Sequence, residues 1–69
     1  MLTNNQIILR RNIKDQVKFC NNLMLRLERD CINNVDKEYP ESNGKTRLKN
    51  DAIRLRRELN IFIKLVERL

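Results

Sequence analysis

The sequence predicts an all-α fold: one antiparallel two-helix hairpin of coiled-coil type over residues 1–69, dimerising into a four-helix bundle. Three observations predict it. The only Gly and the only Pro both fall in one short segment, "EYPESNGK", so the chain has a single strong break. On each side of that break apolar residues recur at alternating steps of four and three, as in a helix that buries one stripe. The connection between the two stretches is short, which makes the helices antiparallel neighbours.

The first helix starts at once. In "MLTNNQI", Thr3 is placed as N-cap with Gln6 three residues on, the two halves of a capping box, and Leu2 and Ile7 supply the hydrophobic staple. Ile13, Val17, Cys20, Met24, Leu27 and Cys31 then form the predicted seam. Leu9 and Leu23 widen it on one flank, and Ile32, Val35 and Tyr39 extend the apolar character. The helix is expected over about residues 3–37, on the order of 50 Å in length.

The turn is expected over about residues 38–46. Pro40 cannot continue a helix, Ser42, Asn43 and Gly44 are turn formers, and Thr46 or Asn43 can cap the second helix.

The second helix is expected over about residues 46–69. Its stripe reads Leu48, Ala52, Leu55, Leu59, Phe62, Val66 and Leu69 without a fault in the spacing. Leu55, Leu59 and Phe62 are its expected core anchors. Lys49 and Arg56 take one edge of this stripe, whereas Asp51 and Glu58 take the other, with Glu58 one turn from Arg54. The expected register sets Cys31 against Leu55, Leu27 against Leu59, Met24 against Phe62 and Val17 against Leu69. A slip of one heptad is the competing register.

A chain of 69 residues buries a modest share of its surface and commonly needs a staple, a metal or a partner. The sequence offers no metal site. It has no His, and its two Cys residues lie eleven apart. On one helix that spacing separates the thiols by roughly 16 Å, beyond disulfide reach. Both are therefore expected as free, small apolar side chains of the core. Free thiols and the lack of a leader predict an intracellular location, cytoplasmic or nuclear, and no apolar run is long enough for a membrane. Without His or a Gly-rich loop, and with carboxylates at surface spacings, the chain is not expected to be an enzyme, nor to bind a cofactor or small-molecule substrate. Its net charge of +6, with 35% of residues charged, favours an acidic partner without specifying one.

The expected partner-binding residues come from two surpluses. Helix one is the longer, and the expected register leaves Ile7, Ile8, Leu9 and Ile13 without cover. Ile61, Ile63 and Leu65 fall off the stripe of helix two, so "LNIFIKLV" is apolar most of the way round. Ile7, Leu9, Ile13, Ile61, Ile63 and Leu65 are thus expected to meet a protein, either a second copy or a helical partner. The expected function is that of a small helical adaptor, assembly subunit or regulator. The alternative is a small basic dimeric nucleic-acid-binding protein. Arg10, Arg11, Lys14 and Lys18 cluster on helix one, Arg47, Arg54 and Arg57 line the outer side of helix two, and phosphate contact needs little more than positive charge within reach. No zinc-finger spacing, aromatic interleaving or helix-turn-helix pair accompanies them, so the protein partner ranks first.

Overall fold

The computed structural model of the chain describes residues 1–36 and 42–69. Two α-helices, α1 (Asn4–Val35) and α2 (Ser42–Glu67), pack side by side and antiparallel as a rod of 57 × 16 × 11 Å. The expected all-helical hairpin is the observed one. The roles expected for Tyr39 and Pro40 lie outside the described residues.

The start of α1 is the capping box read from the sequence. Thr3 has extended backbone, its hydroxyl accepts from the Gln6 amide at 3.2 Å, and the Gln6 side-chain oxygen accepts from the Thr3 amide at 2.7 Å. Two of the four amides that a helix N-terminus leaves without partners are thereby satisfied. At the other end Asp36 keeps helical backbone, and its amide donates to the Ile32 carbonyl at 3.0 Å.

Helix α2 begins at Ser42, one turn earlier than expected, so Asn43, Gly44 and Thr46 lie inside the helix and not in a turn or cap. No described glycine has positive φ. Gly44 is half-buried on the side facing α1. A glycine inside a helix costs about 1 kcal/mol against alanine, but here the extra turn lengthens the contact with α1.

The register differs from the expected one. The Gln16 side-chain amide donates to the Glu58 carbonyl at 2.8 Å and to the Glu58 carboxylate at 2.9 Å, and the Arg54 guanidinium lies 5.5 Å from the centre of the Phe19 ring. Gln16 therefore stands level with Glu58, whereas the expected register put Val17 beside Leu69. Heptad steps from that fixed point set Leu9 level with Leu65, Leu23 with Asp51 and Asp30 with Gly44. The interleaved row sets Ile13 level with Phe62, Cys20 with Leu55 and Leu27 with Leu48. Every one of these residues is buried or half-buried. The shift slides α2 toward the start of α1, so Leu9 and Ile13 gain the cover that the expected register denied them. Leu9, Ile13, Arg10 and Leu69 line a shallow groove there.

The seam is correspondingly rotated. One row on each helix is as expected: Ile13, Cys20 and Leu27 on α1, with Leu48, Leu55 and Phe62 on α2. The second row was expected four residues further on and is found three further on. Gln16, Leu23 and Asp30 replace Val17, Met24 and Cys31, while Asp51, Glu58 and Leu65 replace Ala52, Leu59 and Val66. Val17 is 48% exposed, Met24 51%, Leu59 40% and Val66 43%, so none is an anchor of the hairpin core. Cys31 is likewise exposed, and only Cys20 behaves as the small core thiol expected of both. The physical reason is that a pair of helices has a single line of contact. Which rows occupy that line is fixed by the Gln16–Glu58 bonds, whereas pattern reading ranks the rows by hydrophobicity alone. Among the described residues the buried core is correspondingly small: Cys20, Leu23 and Leu27.

Candidate interaction surfaces

A hairpin two helices wide has two broad sides, and their composition follows from the seam. Reversing one helix reverses its sense of rotation when both are viewed from one end. Rows offset in the same sense from the two seams therefore lie on the same broad side. Phe19 and Arg54 each precede a seam residue, Cys20 and Leu55, by one position, and they touch. That contact marks one broad side. The rows four residues after the shared seam rows lie on the other.

This other side is apolar. It carries Val17, Met24 and Cys31 from α1 and Ala52, Leu59 and Val66 from α2, all exposed. Ile7, Val35 and Ile63 lie on its outer flanks and are exposed too. Arg10 and Lys45 stand at the ends of the same rows, and Lys14, Glu28, Lys49 and Arg56 lie on the flanks, all exposed. Isolated exposed aliphatics are ordinary on a soluble surface, but contiguous apolar rows on both helices are not.

The Phe19–Arg54 side is basic. Arg26 and Arg29 of α1, Arg47, Arg54, Arg57 and Lys64 of α2, and Arg68 just beyond α2 lie on it or on its flanks, all exposed. Phe19, Asn22, Arg26 and Arg54 line a shallow groove in its middle. Nearby carboxylates sit mostly in the seam. Asp51 and Glu58 are half-buried there, and Asp30, also half-buried, pairs with Arg29 at 3.5 Å. Arg54 and Glu58, expected as a surface pair, are turned to different partners: Arg54 to Phe19 and Glu58 to Gln16.

The residues expected to bind a protein are dispersed by this arrangement. Ile7 and Ile63 are exposed on the apolar side, Ile61 is exposed on the basic side, and Leu9, Ile13 and Leu65 are half-buried along the seam. The residues expected to contact nucleic acid are also split. Arg54 and Arg57 belong to the basic side, Arg10 and Lys14 to the apolar side, and Arg11 and Lys18 to the back of α1, all six being exposed. Sequence reasoning missed Val17, Met24, Leu59 and Val66 as surface residues because their spacing is that of a core. It also missed Arg26, Arg29 and Lys64 as neighbours of Arg54 and Arg57. The signal was present, since each of these placements follows from the register once that is known.

Among the described residues no group of His, Cys, Asp and Glu is placed to hold a metal ion, and no helix is long and apolar enough to cross a membrane. Comparison with models of known protein families, with curated proteins and with solved structures finds no match.

Proposed function

We propose that this protein is a helical protein–protein interaction module, a small adaptor, assembly subunit or regulator that works by packing its apolar broad side against other helices. The observation that carries the proposal is the exposure of Val17, Met24, Leu59 and Val66 on one side of a hairpin that buries only three of its described residues. Fully burying an exposed large aliphatic contributes roughly 1.5–3 kcal/mol, and these side chains are already about half covered, so closing their rows would add roughly half of that for each. A second hairpin laid on this side makes a four-helix bundle, the usual way in which paired helices enclose a core. The broad side, 57 by 16 Å, has room for the roughly 800 Å² per partner of a standard interface.

The proposal is tested by light scattering and thermal melting over a hundredfold range of protein concentration. A mass above that of one chain, with a melting temperature that rises with concentration, is the expected result. A monomeric mass with a constant melting temperature contradicts self-association.

A further inference from the structure

We propose that the basic broad side is a second, separate binding surface, and that it takes the phosphate backbone of a nucleic acid without reading base sequence. Both broad sides carry exposed cations, but they differ in kind: on one, Arg10, Lys14, Lys45, Lys49 and Arg56 surround apolar rows, whereas on the other Arg26, Arg47, Arg54 and Arg57 are exposed together without such rows. Three of the nearest carboxylates do not compete strongly for a ligand. Asp51 and Glu58 are half-buried in the seam, with Glu58 holding Gln16, and Asp30 is engaged by Arg29. Two more, Asp15 and Asp36, are exposed on its flank.

The cations on this side are nearly all arginine. A guanidinium presents a planar fork of donors that matches phosphate oxygens two at a time, which an ammonium does not. Arg47 and Arg54 are one heptad apart, about 10 Å along the helix, and the register brings Arg26 level with Arg47 across the seam. Positive groups thus line a strip along the rod, the form that suits a linear polyanion. Among the described residues Phe19 is the one exposed aromatic ring, with Arg54 over one face at 5.5 Å, so this side has no series of rings on which successive bases could stack. Backbone contact without base readout is the consequence. This surface does not depend on the apolar side, and either can be lost while the other remains.

The test is fluorescence anisotropy of the full chain with a mixed-sequence DNA duplex and a single-stranded RNA, at 50 and 200 mM salt. Vesicles containing phosphatidylserine serve as the competing source of phosphate. About five phosphate contacts predict that affinity falls roughly several hundredfold between the two salt concentrations. Two triple variants carry the same loss of charge on different sides: Arg26→Gln/Arg47→Gln/Arg57→Gln on the basic side, and Arg10→Gln/Lys14→Gln/Lys18→Gln away from it. Circular dichroism confirms that each remains helical. Arg54 is left in place because it also packs on Phe19. The first variant is expected to weaken nucleic-acid binding at least tenfold more than the second and to flatten the salt dependence. Equal losses in both variants, no binding to either nucleic acid, or binding to the vesicles alone would each overturn the proposal.

Discussion

Gln16 and Glu58 stand where a pair of helices would gain most from apolar side chains, and their bonds decide which rows meet. The Gln16 amide satisfies a carbonyl and a carboxylate at once, and a hydrogen bond to a charged group is worth more than one between neutral groups. Replacing Gln16 with Ala leaves the half-buried Glu58 carboxylate without this donor. A loss of about 1–3 kcal/mol is expected in urea unfolding. The double change Gln16→Leu/Glu58→Leu is expected to be nearly neutral or stabilising while loosening the register, because a polar seam pair contributes specificity more than stability. A spin-label distance between the helices that broadens in the double variant and stays sharp in the parent checks this.

The same scale separates Leu27 from Leu59, two leucines the sequence presents as equivalent. Leu27 is buried at the seam and Leu59 is exposed beside it. Leu27→Ala is expected to cost about 2–5 kcal/mol. Leu59→Ala should change the melting temperature little at the lowest concentrations and should weaken association at higher ones. Equal losses in dilute solution would place Leu59 in the hairpin core after all.

At the scale of elements, the start of α1 was fully legible because a capping box is a local chemical pattern: Thr3 and Gln6 need only each other's backbone. Thr3→Ala is expected to cost about 1 kcal/mol and to speed amide exchange in the first turn alone, which hydrogen exchange by NMR reads directly. The start of α2 was less legible. Ser42, Asn43 and Gly44 are turn formers by local preference, but the helix continues through them where Gly44 faces α1. Local preference is a weak prior that tertiary contact overrides.

At the scale of the whole molecule, the helical class, the number of helices and one row of each seam were legible, since they depend on periodicity. The second rows and the register were not. Steps of three and four describe two faces that share a row, and the face in contact is the one on which Gln16 makes its two bonds to Glu58, 42 positions away. That choice also determines the interaction surfaces. With Val17, Met24, Leu59 and Val66 in the seam, these four would not be available to a partner. With Gln16, Leu23, Asp51 and Glu58 there, they are.

The central claim, that this apolar side is the association surface, is tested most directly by sedimentation equilibrium on three forms of the chain. These are the parent, Met24→Glu/Leu59→Glu on the apolar side, and Ile8→Glu/Ile61→Glu, which places two equally exposed aliphatics under the same change on the basic side. A buried glutamate without a partner is strongly unfavourable, whereas one facing water costs little. The account predicts an associated parent, a folded monomer for Met24→Glu/Leu59→Glu, and association retained by Ile8→Glu/Ile61→Glu. Association that survives the first pair of changes and is lost with the second would contradict it.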